Sequence, residues 1–161
     1  LGEWQADGTF PPRDLHWLAG DITAPGDLRR METALADWIG DAPTFFLLEG
    51  VVFFLSEEAV ADLFAFFARL QRPGDQVGVV SYIPSLAEAP VYGRLVDFFA
   101  AHGLPRDGYS LPDPSFYDTR PGYRVIEHTS EVAAGRVFAP DQVLENPEDV
   151  LDEHLYILER R

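Results

Sequence analysis

Two acidic residues, Asp21 and Glu49, each stand beside a glycine directly after a short apolar stretch, and these positions suggest ligand binding. A glycine there permits a tight turn and a close approach of the backbone to a ligand. A carboxylate there accepts hydrogen bonds from an amine or a hydroxyl. Because ligands of open α/β sheets bind at the carboxyl ends of strands, Asp21, Ile22, Glu49 and Gly50 are predicted to line one crevice.

The apolar pattern predicts the elements that would position these residues. Residues 16–22 indicate a short strand, after which Asp27 is predicted to cap a helix. Four consecutive apolar residues at 45–48 indicate a strand that is buried on both faces. Ser56 is predicted to cap the next helix, and residues 76–82 form a second strand that completes a βαβ unit.

The remainder of the chain predicts a single α/β domain over residues 1–161, in which residues 1–13 are a poorly ordered lead-in. A helix is expected over 90–102, and the proline-rich segment 105–121 is expected to be a loop or a substrate-side insertion. Two further strands, at 123–128 and 154–159, are predicted to form an antiparallel pair near the carboxyl terminus.

Composition limits the classes of function. The net charge is −15, and every cationic side chain is an arginine, so phosphate backbones and anionic lipid surfaces are repelled. We therefore expect neither nucleic-acid nor membrane binding. A high-salt cytoplasm and a GC-rich genome both explain the bias toward acids and arginine.

Cysteine is absent, which rules out disulfides, thiolate zinc sites and a cysteine nucleophile. A cytoplasmic location is the simpler expectation. The four histidines are far apart in sequence, and we predict no metal site. A hydrolase is disfavoured because the chain has no G-x-S-x-G motif.

One segment resembles a known family. Gly20-Asp21-Ile22 precedes a helix, after which the chain reads Pro43-Thr44, then Glu49-Gly50, Phe54-Leu55 and Ala59-Val60. This spacing resembles that of the leucine carboxyl methyltransferase family, which includes polyketide carboxyl and O-methyltransferases. Its members carry P-T-x-x-x-x-E-G-x-x-x-Y-L-x-x-x-A-V after a D-L pair. The resemblance spans roughly residues 14–161 and is strongest over 43–82.

The resemblance implies a Rossmann-like class I methyltransferase sheet and the cofactor S-adenosylmethionine. Asp21 would accept a hydrogen bond from the adenine amino group, and Ile22 would donate its backbone N–H to the ring. Glu49 would meet the α-ammonium of the methionine moiety. The reaction would be an in-line methyl transfer to a small-molecule carboxylate or hydroxyl, or to a peptide terminus, that depends mainly on positioning and a dry pocket.

The predicted substrate pocket contains Tyr82 and Phe54, and no catalytic residue is assigned. Phe54 stands where the family has tyrosine, so the family's hydroxyl is missing here. A carboxylate acceptor is already a nucleophile, whereas a phenol needs a base, and His102 or His128 could serve.

The family's glycine-rich loop has no counterpart in this sequence, so the chain carries about half of a cofactor site and the sheet is predicted to be truncated at its N-terminus. The chain is then a fragment, a partner to another chain that supplies the rest, or a homologue that folds without cofactor. If the chain folds alone, the apolar edge of the 45–48 strand is exposed, which predicts a homodimer. The alternative to an enzyme is a non-catalytic binding or dimerisation module that keeps the fold.

Overall fold

The structure is a computed structural model, and it describes residues 16–142, 146 and 149–161. The predicted lead-in at 1–13 lies outside the described residues. The helices are α1 (Pro25–Ile39), α2 (Glu57–Leu70), α3 (Pro90–Ala101), α4 (Pro114–Asp118) and α5 (Glu131–Phe138). The strands are β1 (Phe45–Leu48), β2 (Gln76–Ser81), β3 (Tyr123–Ser130) and β4 (His154–Arg160), and short 3₁₀ turns cover Val52–Phe54, Pro84–Glu88 and Pro140–Gln142.

The strands form one mixed sheet in the order β1-β2-β4-β3. β1 and β2 are parallel, and α2 supplies the crossover that parallel neighbours require. β4 is antiparallel to both β2 and β3, which confirms the predicted antiparallel carboxyl-terminal pair. The mixed α/β class is confirmed with it, and the carboxyl ends of β1 and β2 lie at one edge of the sheet.

The predicted strand at 16–22 is wrong. Residues 16–20 lie outside helix and strand, and Asp21 and Ile22 form a turn. Side chains of α1 take the backbone bonds that a neighbouring strand would otherwise make. Arg30 Nη2 donates to the Ala19 carbonyl at 2.7 Å, and the Asp21 N–H donates to Asp27 Oδ2 at 2.8 Å. This segment is therefore attached to a helix instead of the sheet.

Two other local predictions need correction. α1 begins at Pro25 with Ala24 as its N-cap, so Asp27 lies in the first turn and does not cap the helix. The 105–121 segment contains the short helix α4, whose N-cap Asp113 accepts a hydrogen bond from the Ser115 N–H. Proline at the first position of that helix suits its fixed backbone angle.

The core lies between α2 and one face of the sheet. Ser56 caps α2 as predicted, because its Oγ accepts the Ala59 N–H at 3.1 Å. The buried face of α2 carries Val60, Leu63, Phe64 and Phe67. Phe67 stacks on Phe46 of β1 with ring centroids 4.4 Å apart.

The predicted burial of β1 on both faces is not observed. β1 is the edge strand of the sheet in the described part of the chain. Phe46 and Leu48 point toward α2, whereas Phe45 and Leu47 are 52% and 54% exposed. Period-two alternation explains the difference, since only one face of the sheet meets α2. Because β1 is also the edge strand of this sheet, the predicted exposed apolar edge is present within the described residues.

Candidate active site

The segment that contains Asp21 and Ile22 faces the amino-terminal turn of α2. A cavity of about 270 Å³ lies between them, lined by Ile22, Thr23, Pro25, Leu28, Ser56, Glu58, Ala59 and Asp62. Ile22 and Leu28 give this space an apolar wall, while Thr23 and the acids give it a polar rim. Ile22, one of the predicted cofactor contacts, thus lines a cavity beside the start of α2.

Asp21 does not line that cavity among the described residues, because its carboxylate folds back on its own turn. Asp21 Oδ1 accepts the Thr23 hydroxyl at 2.7 Å and the Thr23 backbone N–H at 2.8 Å. Both bonds lower the pKa of the Asp21 carboxyl below its ordinary value, and the bond from the Thr23 hydroxyl has the larger effect. The acid is therefore held ionised on an exposed turn.

Glu49 follows β1 directly and is exposed, as a residue at the carboxyl end of a strand should be to meet a ligand. Gly50 has a φ of +67°, a left-handed conformation that glycine adopts without a steric penalty. No atom lies within 4 Å of the place a Gly50 Cβ would occupy, so the backbone here is open to approach. The ligand contacts predicted for Asp21 and Glu49 remain predictions.

The predicted pocket residues Phe54 and Tyr82 come together around Phe53. The Phe53 ring contacts both edge-on, at centroid distances of 5.4 Å and 5.3 Å. Tyr109, from the proline-rich segment, stacks on Phe53 at 4.4 Å, and the Ser110 N–H donates to the Phe53 carbonyl at 2.9 Å. An aromatic wall therefore stands beyond the carboxyl ends of β1 and β2.

Acidic side chains affect the protonation of the Tyr82 phenol. Burial raises its pKa most, and a hydrogen bond to Glu153 together with the charges of Glu153 and Glu131 raises it further. Tyr82 is therefore a protonated hydrogen-bond donor at neutral pH. This interaction was not predicted from sequence, because Glu153 precedes the distant strand β4.

The two candidate bases lie in different surroundings. His102 caps the carboxyl end of α3, where its Nδ1 lies 2.7 Å from the Phe98 carbonyl and must donate to it. His128 of β3 places its Nε2 2.9 Å from His154 Nδ1 and stacks on Tyr156. Sequence reasoning missed this histidine pair, because the partners are brought together only by strand register.

A larger cavity, also missed from sequence, lies beside α5. Its volume is about 480 Å³, within the usual range of small-molecule sites. The described residues that line it are Glu131, Val132, Gly135, Ala139, Gln142, Asp149, Val150 and Leu151. The charge of Glu131, which lines this cavity, contributes to the raised pKa of Tyr82 in the aromatic wall.

Two negative findings apply to residues 16–142, 146 and 149–161. No helix there is long and apolar enough to cross a membrane. Within the same residues, no three or more histidines, aspartates or glutamates are grouped so that they could hold a metal ion.

Comparison with solved structures shows a likeness in fold. A "putative methyltransferase" of Thermobifida fusca YX aligns over 88% of this chain and 52% of its own, with a TM-score of 0.54 and 13% identity. A structure from work on the conversion of a disulfide bond into a thioacetal group during echinomycin biosynthesis aligns over 86% of this chain and 64% of its own, with a TM-score of 0.48 and 11% identity. The chain matches no protein-family model and no curated protein sequence.

The fold is therefore a mixed α/β fold similar to that of the Thermobifida fusca protein. The chain spans about half the length of the Thermobifida fusca protein, at 52% of it. At this low identity the likeness extends to the fold and not to a substrate.

Proposed function

We propose that this chain is part of an S-adenosylmethionine-dependent methyltransferase of the leucine carboxyl and polyketide O-methyltransferase type. The observation that carries the proposal is the fold likeness over 88% of the chain to the Thermobifida fusca protein. The P-T…E-G…F-L…A-V spacing around β1 supports it, since that spacing belongs to this family. The acceptor is a carboxylate or hydroxyl of a small molecule or a peptide terminus.

The described residues fit one part of the cofactor. The cavity lined by Ile22 has an apolar wall that suits a flat heterocycle, and the ionised Asp21 beside it would accept from the adenine amino group. Exposed Glu49 and the open backbone of Gly50 would hold the α-ammonium of the methionine moiety. S-adenosylmethionine, when bound, supplies an electrophilic methyl group on a sulfonium.

The residues of this chain would then act mainly by positioning and by excluding water. Phe53, Phe54 and Tyr109 present apolar surface where the acceptor would lie, and Tyr82 remains a protonated donor. A hydroxyl acceptor would need its proton removed by His102 or His128, whereas a carboxylate acceptor would not. A dry, preorganised pocket favours a displacement in which charge disappears.

Calorimetric titration of the protein with S-adenosylmethionine tests this proposal. We expect binding, and we expect Glu49→Gln to weaken it about tenfold, because one charge-assisted hydrogen bond of roughly 1.4 kcal/mol is lost. Glu127→Gln is the matched control, since Glu127 is also exposed but lies on β3, at the other end of the sheet. Equal effects of the two substitutions, or no binding by the unaltered protein, would reject the proposal.

A second candidate is a non-catalytic binding or dimerisation module that keeps the fold. It is favoured by the Asp21 carboxylate, which is already engaged with Thr23, and by the exposed β1 edge. This candidate predicts no heat of binding with S-adenosylmethionine and a stable dimer by sedimentation.

A further inference from the structure

We propose that the cavity beside α5 binds a small molecule with an apolar body and a hydrogen-bond-donating head, an ammonium or a hydroxyl, and that it discriminates against carboxylates. If that molecule is the methyl acceptor, this part of the inference rests on the proposed function and narrows its substrate class. The binding itself needs no cofactor.

Part of the cavity wall is apolar, and the helix that forms one side of it is bonded to the segment before β4. Val132, Ala139, Val150 and Leu151 line the space of about 480 Å³. The Glu131 N–H donates to the Glu153 carbonyl at 2.7 Å, so the start of α5 is tied to the residues that lead into β4. An apolar body of one ring and a short chain suits such walls.

The charged groups at the cavity are acceptors of hydrogen bonds. Glu131 and Asp149 both line it, and their carboxylates can only accept when ionised. Asp149 is paired with Arg94 at 2.7 Å and also accepts from Asn146 Nδ2. Glu131 has no cationic partner among the described residues, so its carboxylate is the group that a donor on the ligand would meet.

The backbone N–H groups at the start of α5, which could bind a carboxylate, already donate hydrogen bonds within the protein. The N–H groups that begin α5 ordinarily attract anions. Here Glu131 N–H donates to the Glu153 carbonyl, Val132 N–H donates to Asp152 Oδ1 at 3.0 Å, and Ala133 N–H donates to Ser130 Oγ at 3.2 Å. An anionic ligand would therefore meet acidic side chains and no unused N–H at this helix terminus.

The charge of Glu131 links the cavity to the place where an acceptor is expected. Glu131 acts on the Tyr82 phenol, and Tyr82 follows the carboxyl end of β2. The aromatic wall around Phe53 contacts the same tyrosine at 5.3 Å. A donor head at Glu131 would thus meet the carboxylate whose charge also raises the pKa of Tyr82, a predicted substrate residue.

Three probes that differ mainly in their head group test the inference by NMR titration without cofactor: 2-phenylethylamine, 2-phenylethanol and 3-phenylpropanoate. At pH 7 we expect the amine to bind most tightly, the alcohol next and the carboxylate at least about tenfold more weakly than the amine. Glu131→Gln should weaken the amine about tenfold and change the alcohol by less than about threefold. Glu127→Gln, an exposed carboxylate of β3, should change neither.

Substitution of a wall residue by tryptophan tests whether the probes bind in this cavity or at another site. Val132→Trp should reduce the binding of all three probes, and Leu151→Trp replaces it if the first variant does not fold, as judged by circular dichroism. Preference for the carboxylate, equal binding of the probes, no binding, or insensitivity to Glu131→Gln would each overturn the inference. Failure of S-adenosylmethionine to bind would leave these results intact, so the two proposals fail separately.

Discussion

Thr44 and Asp75 are joined by two hydrogen bonds that fasten the start of β1 to the start of β2. The Thr44 N–H donates to Asp75 Oδ1 and the Thr44 hydroxyl donates to Oδ2, both at 3.0 Å. The Arg72 N–H adds a third bond to Oδ2 at 2.9 Å. Since Asp75 is only 7% exposed, these bonds hold a buried charge and thereby set where the parallel pair begins.

Removal of this carboxylate should destabilise the fold. We expect Asp75→Ala to lower the free energy of unfolding by about 3 kcal/mol, because three part-buried hydrogen bonds to a charged acceptor are lost. Asp97→Ala is the control: Asp97 pairs with Arg106 on the surface, so its loss should cost less than about 1 kcal/mol. Urea unfolding at pH 7 measures both, and equal losses would contradict the assigned role.

The same residue predicts a dependence on pH. Burial alone raises the pKa of the Asp75 carboxyl, but the bonds from Arg72 and Thr44 outweigh it, so the pKa lies below its ordinary value. Its contribution is therefore present above the unfolded-state pKa of about 4 and is lost as pH falls through the lower folded-state pKa. Unfolding measured between pH 7 and pH 2 should show this loss, and Asp75→Asn should flatten it.

Substitution of Gly50 should destabilise the fold because of its backbone conformation and not because of crowding. Its φ of +67° is disfavoured for residues with a Cβ, although the space around it is open. We expect Gly50→Ala to cost about 1–2 kcal/mol of unfolding free energy. Gly93→Ala in α3, where space is equally open, should instead stabilise the protein by up to about 1 kcal/mol. Thermal unfolding compares the two, and the same sign for both would refute the explanation.

The β1 edge should drive self-association. The Gln76 N–H donates to the Thr44 carbonyl, so by ladder alternation Phe45 and Leu47 direct their backbone groups away from β2. An antiparallel copy with Phe45 opposite Leu47 would pair both backbones and both apolar side chains. We expect a dimer by sedimentation velocity, and Leu47→Lys should shift it toward monomer.

Ile126→Lys is the control for that edge, since Ile126 is 43% exposed on β3, at the opposite side of the sheet. It should leave the sedimentation profile unchanged. A protein that stays monomeric over a wide concentration series would contradict the expected pairing.

The His128–His154 pair should make stability depend on pH near neutrality. Burial lowers the pKa of His154 most, Asp152 opposes this, and the charge of His128 lowers it further. Because the folded state disfavours the proton, stability is present above the ordinary histidine pKa of about 6.5 and falls as pH drops below it. NMR titration of both imidazoles measures this, and His128→Gln should raise the pKa of His154. An unchanged titration would refute the coupling.

The elements that sequence predicted well are those whose local signals and core contacts agree. α2 has a serine cap, acids in its first turn and a buried stripe at 3–4 spacing, and all of these are found in the structure. The strand predicted at 16–22 failed because side chains of α1 take its backbone bonds. α5 was missed, since the Ser130 cap and the Asp152 contact that help to hold it are not visible as apolar periodicity.

The candidate site was predictable only in part. Phe54 was predicted from the family motif, where it stands at the tyrosine position, and Tyr82 is the last residue of the strand predicted at 76–82; the structure places both against Phe53. The stacking of Tyr109 on Phe53 and the bond from Tyr82 to Glu153 depend on chain segments that meet only in the folded sheet. The spacing of residues along the chain does not reveal contacts between distant segments.

β4 lies between β2 and β3, although it follows both of them along the chain. During translation, β3 therefore has no hydrogen-bonded neighbour in this sheet until residues 154–160 leave the ribosome. The described sheet cannot be completed before these residues are made, and nascent chains stalled before this point would expose β2 and β3 to chaperones.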